Sequence, residues 1–414
     1  MGADQHALAE KHVWPAEGWT RVPLWVYSDP DVYRRELELF FYGPTWSYVA
    51  LECELPEPGS FKRSWIGERQ VVAVRDEDGA VHVWENRCAH RGARLCWKNK
   101  GKLTDSITCP YHQWNYALDG TLQGIPLRRG HKGKGGMSAD FDTSQHGLTN
   151  LRVHIEGGSI WASFDHDGPS FAEYCGPDLY SSVQRLLPGR PLKLLGYSRQ
   201  LIESNWKMYI ENLKDPYHAT LLHAFYITFG LWRADAESES RPTGSGQHSV
   251  MTSRNVGGNA SDVNQDISRF QSDLVIHDLD SVTPVREFED GKVGGWCLFP
   301  SIVLHQQANS LGMRHVIPKG PNAFELSWTY YGYEDEDPEI TRLRIRHANL
   351  MGPAGFVSME DGEVLTECQL NVPGYQNRSA ILEMGGRDVA PQDHMVTEVM
   401  IRAFYKFYRE AMNL

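Results

Sequence analysis

The chain has 414 residues, of which 41% are hydrophobic and 23% charged, and its formal net charge at pH 7 is −12. A chain of this length exceeds what one hydrophobic core usually supports, so two domains are expected. The acidic balance, with no basic stripe that would neutralise phosphates, argues against a nucleic-acid partner.

The sequence also argues against a membrane protein and a disulfide-stabilised one. The N-terminal residues lack the basic and apolar regions of a secretory signal, and no apolar run approaches the roughly 20 residues of a membrane helix. The seven cysteines are scattered along the chain, which does not suit a disulfide framework. We therefore expect a cytoplasmic protein.

Residues 1–44 predict an irregular arm followed by one helix. Pro15, Pro23 and Pro30 interrupt the arm. Asp29 then precedes apolar residues at helical spacing and predicts the N-cap of the helix. We assign this segment to the larger of two domains, which resumes at residue 161.

Residues 45–160 predict a small antiparallel β domain. Segments 70–75, 81–85 and 159–164 are rich in β-branched and aromatic residues, and Asp119-Gly120 marks a turn. Short strands joined by such turns leave their loop tips free to carry side chains for binding.

Two cysteine–histidine pairs lie in this domain, Cys88-Ala-His90 and Cys109-Pro-Tyr-His112, with eighteen residues between them. A structural zinc site is one alternative, but its arms usually carry two cysteines or two histidines. One cysteine and one histidine on each arm suit a Rieske [2Fe–2S] cluster, in which two thiolates hold one iron and two imidazoles hold the other. The histidines raise the reduction potential of such a cluster, which then needs an acceptor for its electrons.

Residues 161–414 predict a larger domain of helices and longer strands, an α+β arrangement. Segment 233–275 contains turn-forming residues and few large apolar side chains. It predicts either a plain surface loop or a mobile cover over a site.

A second metal site is indicated by His218 and His223, with carboxylates such as Asp215 nearby. Taken alone, the pair suits two core or surface histidines on a leucine-rich helix equally well, but beside a Rieske motif it favours a metal site. Two histidines and a carboxylate form the facial triad that holds Fe(II) and leaves positions open for O₂. His218 and His223 are five residues apart and diverge by about 140° on an ideal helix. Both can bind one ion only if the helix ends or carries a π-bulge between them.

Both motifs resemble those of the large subunits of aromatic-ring-hydroxylating oxygenases, and the resemblance covers essentially the whole chain. Arg91-Gly92, Gln113-Trp114 and Glu211-Asn212 belong to the matching segments. The interval between the cluster arms is about one residue longer than the family's usual spacing. The resemblance implies a Rieske domain inserted in an antiparallel-sheet-plus-helices catalytic domain of the helix-grip type.

The resemblance also implies roles for individual residues. Cys88, His90, Cys109 and His112 would hold the cluster. His218, His223 and the distant Asp361 would hold mononuclear Fe(II), with Glu360 as the neighbouring alternative to Asp361. Asp215 and Asn212 would be catalytic, with Asp215 linking His112 of one subunit to His218 of the next.

Within the family, segments 14–18 and 228–235 most resemble the branch that hydroxylates salicylate, followed by the branches that act on anthranilate and terephthalate. This implies O₂-dependent hydroxylation of a monocyclic aromatic carboxylate, first of all salicylate to gentisate. Cis-dihydroxylation of anthranilate, another benzoate or terephthalate is the alternative. Arg314 and Arg402 resemble carboxylate-binding arginines, although either could form a structural ion pair instead. Gln306, Gln307 and Asn309, on the same predicted strand as Arg314, are candidates to contact an ortho substituent.

The family implies partners too: a small beta subunit in an α3β3 assembly and a ferredoxin, a flavin reductase or both. No Gly-x-Gly-x-x-Gly fingerprint for a nucleotide is present, so electrons would come from a separate protein. An iron–sulfur electron carrier is the competing class, but it would have no use for His218, His223 and Asp361.

Overall fold

The structure, a computed structural model, describes residues 11–254, 261–282 and 292–414. Phe41–Pro169 form one compact unit, and the chain on both sides of it forms a second, larger unit. The smaller unit begins four residues before the expected 45–160 and ends nine residues after it. No helix in the described part of the chain is long and apolar enough to span a bilayer.

The larger unit begins with strand β1 (Arg21–Pro23) and helix α1 (Pro30–Glu36). The Asp29 carboxylate accepts the backbone N–H groups of Asp31 and Val32, which confirms the predicted N-cap. Residues 1–10 of the predicted arm lie outside the described residues.

The smaller unit is built from two antiparallel sheets. Seven strands pair in the order β2-β11-β10-β5-β4-β3-β6, and three more in the order β7-β8-β9. The strands are β2 (Ser47–Leu51), β3 (Ser60–Ile66), β4 (Arg69–Arg75), β5 (Val81–Glu85), β6 (Lys100–Lys102), β7 (Ser106–Thr108), β8 (Asn115–Ala117), β9 (Leu122–Gly124), β10 (Asn150–Glu156) and β11 (Ser159–Ser163). The β-rich segments read from the sequence therefore correspond to β4, β5 and β11.

The larger unit is organised around a seven-stranded antiparallel sheet in the order β12-β18-β17-β16-β15-β14-β13. These strands are β12 (Leu192–Ile202), β13 (Glu237–Thr243), β14 (His248–Arg254), β15 (Lys292–Leu298), β16 (Ile302–Gln307), β17 (Ser310–Pro318) and β18 (Phe324–Tyr333). A short strand, β19 (Ser379–Ile381), pairs with β1. The mixture of helices and antiparallel sheets confirms the α+β class.

Helices cover both faces of the large sheet. The helices that follow α1 are α2 (Phe171–Leu186), α3 (Trp206–Leu213), α4 (Pro216–Ala219), α5 (Ala224–Phe229), α6 (Ser261–Asn264), α7 (Pro338–Met351), α8 (Phe356–Asn371) and α9 (Val399–Met412). Helix α2 packs on one face, where the Tyr331 hydroxyl donates to the carbonyl of Leu186. Helix α3 packs on the other face, where Tyr209 contacts Phe324.

The expectation of a loop over residues 233–275 is wrong for the first half of that segment. Strands β13 and β14 form a hairpin that completes the large sheet. Pro242 is tolerated because β13 is the edge strand, and Gly244 and Gly246 adopt positive φ in the connecting turn. Residues 255–260 lie outside the described residues, and 261–282 contain short helical turns and many exposed side chains.

Helix α1 is anchored by a buried ion pair. Glu36 lies 2.8 Å from the Lys207 ammonium, and both side chains are completely buried. The same carboxylate accepts hydrogen bonds from the Trp206 indole and the Tyr408 hydroxyl. Burial lowers the pKa of Lys207, and Glu36 opposes that shift. Removing either charge would leave the other buried without its partner, which is strongly destabilising.

Candidate metal centres and substrate face

The two cysteine–histidine pairs lie on loops that follow β5 and β7. Cys88 and Cys109 are buried and interact directly, whereas His90 is exposed and His112 half-buried. The two imidazole rings are 4.6 Å apart between centroids. The two sulfur atoms therefore lie together inside the unit, and the two imidazoles lie together towards its surface. This arrangement fits a [2Fe–2S] cluster in which two cysteines hold one iron and two histidines hold the other.

Backbone turns and a tyrosine shape these loops. The Cys109 N–H donates to the Trp114 carbonyl, and Gln113 between them takes a positive φ of 57°. The Tyr116 hydroxyl lies 3.1 Å from Cys88 Sγ and accepts the N–H of Ala89. A hydroxyl at this distance can donate to a thiolate, and hydrogen bonds to the sulfurs are one determinant of cluster potential.

The second candidate centre consists of His218, His223 and Asp361. Their donor atoms all lie within 4.8 Å of one another. The Nε2 atoms of His218 and His223 lie 3.4 and 3.5 Å from Asp361 Oδ1. Two imidazoles and one buried carboxylate that converge in this way fit a facial triad for Fe(II).

The local fold explains how two histidines five residues apart converge. Helix α4 ends at Ala219, and His223 is the N-cap residue of α5. The predicted helix end between them is thus confirmed. Asp361 comes from the second turn of α8, far along the chain.

A carboxylate lies near the outer nitrogen of each histidine, at hydrogen-bond distance for His223 and somewhat farther, without a hydrogen bond, for His218. Asp215 Oδ2 lies 3.5 Å from His218 Nδ1, while its Oδ1 caps α4 by accepting the N–H groups of Tyr217 and His218. Glu360 Oε2 lies 3.0 Å from His223 Nδ1. Glu360 therefore contacts the nitrogen opposite to the one that faces Asp361.

Asn212 completes the inner side of the site. Its side-chain N–H₂ group lies 3.1 Å from His218 Nε2 and 3.1 Å from Asp361 Oδ1. Burial would lower the pKa of His218, but Asp215 and Asp361 outweigh burial and raise it to about 10. A metal ion binds the neutral imidazole, so metal affinity at this site should rise with pH.

The sheet face opposite to α2 places Arg314 near this centre. Arg314 is buried, stacks on Trp328 at 4.4 Å, and donates to Gln307. Its Nε makes no hydrogen bond of good geometry, although the Tyr209 hydroxyl lies beside the guanidinium. Among residues 11–254, 261–282 and 292–414, no carboxylate forms an ion pair with its guanidinium. Tyr209 and Tyr226 each lie within electrostatic range of both Arg314 and Asp361.

The other predicted substrate residues lie elsewhere. The run expected as one strand is a hairpin of β16 and β17, with Asn309 in the turn against Arg344 and His347. Gln306 lies on the α2 face, where it accepts a hydrogen bond from Arg185. Arg402, on α9, donates to the carbonyls of Asp388 and Met384.

Residues that the sequence reading missed surround Arg314. His305, Trp328 and Tyr209 each carry a buried polar atom without a hydrogen-bond partner: His305 Nδ1, Trp328 Nε1 and the Tyr209 hydroxyl. Burial and Arg314 lower the pKa of His305 well below its usual value, so this imidazole is neutral. Strand alternation could have grouped His305 with Gln307, but only the register with β18 brings Trp328 opposite Arg314.

Family models match both units. The Rieske [2Fe–2S] domain matches residues 45–134, and the catalytic domain of the ring hydroxylating alpha subunit matches residues 182–414. These matches decide against the zinc alternative, and the second decides against a simple electron carrier.

Similar proteins span nearly the whole chain. The salicylate 5-hydroxylase large oxygenase component of Ralstonia sp. is 47% identical, covering 97% of this chain and 96% of that protein. The anthranilate 1,2-dioxygenase large subunit of Burkholderia cepacia is 41% identical, covering 96% and 95%. Both are named as the large part of an enzyme with further components.

A solved structure shares the fold. Naphthalene 1,2-dioxygenase from Rhodococcus sp. superimposes with a TM-score of 0.77 at 22% identity, covering 95% of this chain and 94% of that one. The chain therefore belongs to the ring-hydroxylating oxygenase alpha subunits, Rieske-type enzymes whose cofactors are a [2Fe–2S] cluster and a mononuclear non-heme iron.

Proposed function

We propose that this enzyme hydroxylates a monocyclic aromatic carboxylate, first of all salicylate, at position 5 to give gentisate. Arg314 is the observation that carries the substrate class. A buried guanidinium with an unpartnered Nε and no carboxylate against it among the described residues is costly unless a ligand supplies the anion. The similarity to salicylate 5-hydroxylase over 97% of the chain supports the choice of salicylate.

The aromatic side chains around Arg314 suit the ring of such a substrate. Trp328 and Tyr330 stack nearly parallel, 5.8 Å apart, on the same sheet face as Arg314. A flat apolar slot with one fixed charge orients a planar acid. The unpartnered polar atoms of His305 and Trp328 are candidates to contact an ortho hydroxyl group.

We propose His218, His223 and Asp361 as the iron ligands, and Cys88, His90, Cys109 and His112 as the cluster ligands. When bound, the mononuclear iron supplies the activation of O₂ that aromatic hydroxylation requires. The protein around it holds the substrate by Arg314 and orients the imidazoles through Asp215 and Glu360.

We further propose that the subunit works in the cytoplasm in an α3β3 assembly with a small beta subunit. A ferredoxin, a flavin reductase or both would supply its electrons. All seven cysteines are unpaired, which suits a reducing compartment.

The substrate proposal is tested by incubating the reconstituted enzyme with salicylate, anthranilate, benzoate and terephthalate and identifying the products. Gentisate from salicylate as the fastest product supports it. A cis-diol or catechol formed faster from another acid would instead favour the dioxygenase alternative, which the similarity to anthranilate 1,2-dioxygenase supports.

The carboxylate role is tested with Arg314→Gln. We expect KM for salicylate to rise at least tenfold, because loss of a buried charge-assisted bond costs about 1.5–3 kcal/mol. Arg199→Gln, on the half-exposed Arg199 of β12, is the control. An unchanged KM in Arg314→Gln would remove this residue from the substrate site.

The ligand proposal is tested with alanine variants of His218, His223 and Asp361. Each should lose mononuclear iron and keep the optical spectrum of the cluster, because two remaining ligands hold Fe(II) poorly. Retention of iron by Asp361→Ala but not by Glu360→Ala would move the third ligand by one residue.

A further inference from the structure

Glu360 contacts His223, one of the proposed iron ligands, on the nitrogen that faces away from the metal. Its Oε2 is 3.0 Å from His223 Nδ1, while His223 Nε2 faces Asp361. His223 is 3% exposed and Glu360 only 14%, so water competes little for this contact.

The other oxygen of Glu360 is also engaged. Oε1 accepts the backbone N–H of Ala224 and lies 3.4 Å from the Arg269 guanidinium. A carboxylate held on both oxygens has a fixed orientation towards His223. His218 has a carboxylate in the corresponding place, Asp215.

Arg269 belongs to the segment 261–282, which is tied to the same part of the molecule at two further points. The Asn264 side chain donates to the carbonyl of Ile227, and the Gln271 N–H donates to the Thr228 hydroxyl. Ile227 and Thr228 belong to α5, whose N-cap residue is His223. The segment therefore contacts both the helix that His223 caps and the carboxylate that faces the His223 ring.

We propose that Glu360 is a positioning residue for the mononuclear iron, and that Arg269 links segment 261–282 to it. Glu360 accepts the Nδ1–H of His223, which fixes the tautomer whose Nε2 lone pair faces the metal. Arg269 restrains the second oxygen of the carboxylate. This proposal rests on the iron site proposed above and adds a carboxylate that does not itself bind the metal.

The test measures metal affinity in the full-length protein rather than turnover. Glu360→Gln keeps the shape of the side chain and an oxygen for the Ala224 N–H, but removes the charge. Glu360→Ala removes the partner of His223 altogether. Apparent Fe(II) affinity is measured by anaerobic dialysis against chelators of graded strength, and Co(II) absorption reports the geometry of the site.

We expect Fe(II) affinity to fall 10- to 100-fold in both Glu360 variants, the range typical for the loss of a partner to a metal-bound histidine. Arg269→Gln should show a smaller, few-fold loss, because Arg269 is 48% exposed and its ion pair is weak. Glu363→Gln and Glu367→Gln are matched controls: both residues are exposed on α8 and line the same surface pocket as Arg269. They should bind Fe(II) as the parent does.

Two outcomes separate this proposal from the iron site on which it rests. If His223→Ala loses iron but both Glu360 variants keep the parent's affinity and Co(II) spectrum, Glu360 does not position His223. If His223→Ala keeps iron, the iron site itself is wrong. Thermal midpoints of the metal-free variants show whether α8 is disturbed, and an affinity loss in Glu360→Gln with an unchanged midpoint assigns the effect to His223.

Discussion

Both proposed iron-ligand histidines meet a carboxylate on the nitrogen that points away from the metal. Asp215 lies 3.5 Å from His218 Nδ1, and Glu360 lies 3.0 Å from His223 Nδ1. Asp215 also caps α4 with its other oxygen, so its capping role and its histidine contact coexist in one side chain. The orientation of the two histidine ligands therefore depends on these carboxylates, which do not themselves bind the metal.

Tyr116 should tune the cluster potential. Its hydroxyl lies 3.1 Å from Cys88 Sγ, and a hydrogen bond to sulfur stabilises the more negative, reduced cluster. Tyr116→Phe should lower the potential by about 40 mV, equivalent to about 1 kcal/mol for one electron. Spectroelectrochemistry measures this, with Tyr48→Phe on β2 as a control from the same unit. Equal potentials in the two variants would contradict the hydrogen bond.

Glu211 should make stability depend on pH. Burial raises its pKa to about 7, against hydrogen bonds from Tyr405 and Tyr27. Because the folded pKa lies above the unfolded value of about 4.3, the folded state favours the protonated acid, and its stability falls as pH rises from about 4.3 to 7. Glu211→Gln should therefore gain stability over the parent through that window, by about 3 kcal/mol at its upper end, and by little more above it.

Thermal midpoints of the parent and Glu211→Gln between pH 5 and 8 test this. The difference between the two proteins cancels the other titrating groups. Glu363→Gln, an exposed residue on α8, should run parallel to the parent. A difference between the parent and Glu211→Gln that does not change with pH would show that Glu211 titrates normally.

At the residue scale, short motifs were predictable and pockets were not. Cys88-Ala-His90 and His218 with His223 are local patterns. The first indicates metal chemistry by its spacing, and the second does so beside the first. The surroundings of Arg314 depend on which way each strand residue points, and Gln306 and Gln307 lie on opposite faces for that reason. No local pattern brings Glu360 to His223, because 137 residues separate them.

At the scale of elements, the site depends on where helices stop. Helix α4 lasts one turn, and the turn that follows redirects the chain so that His223 can face Asp361. The spacing of the histidines predicted such a break. The edge hairpin of β13 and β14 could not be read from composition, because its turn-forming residues look like those of a loop.

Helix α8 carries Asp361 and Glu360, and Gly355 sets its start. A Cβ at Gly355 would lie 2.1 Å from the carbonyl oxygen of Leu350 and 2.3 Å from that of Asn349. Gly355→Ala should therefore push α8 away from α7, reduce stability by about 1–3 kcal/mol, and weaken Fe(II) binding. Gly374→Ala, where a Cβ has open space, is the control. Denaturant titration and iron content check both, and an unaltered Gly355→Ala would mean that α8 tolerates the displacement.

At the scale of the whole molecule, we expect a closed ring of large subunits, a trimer by the family's pattern, in which Asp215 joins His112 of one subunit to His218 of the next. Asp215→Asn should keep the cap of α4, since asparagine caps as well as aspartate does, and lose the charge. The reductase should still reduce the cluster, while product formation falls at least 100-fold.

A single-turnover experiment with pre-reduced enzyme measures this step, and sedimentation measures the size of the assembly. Asp337→Asn is the matched control, because Asp337 caps α7 in the same unit. An Asp215→Asn protein that oxidises its cluster and forms product at the parent's rate would remove the bridge. A monomeric active enzyme would remove the ring.

The ion pair of Glu36 bears on how the chain is made on the ribosome. Glu36 leaves the exit tunnel long before its partners, because Lys207 follows 171 residues later and Tyr408 follows 372 residues later. Residues 41–169 pair among themselves and can fold as they emerge. The N-terminal segment must instead wait, with its apolar side chains exposed, until synthesis is nearly complete. We therefore expect heterologous production to depend on chaperones and growth temperature, and C-terminally truncated chains to accumulate as insoluble protein.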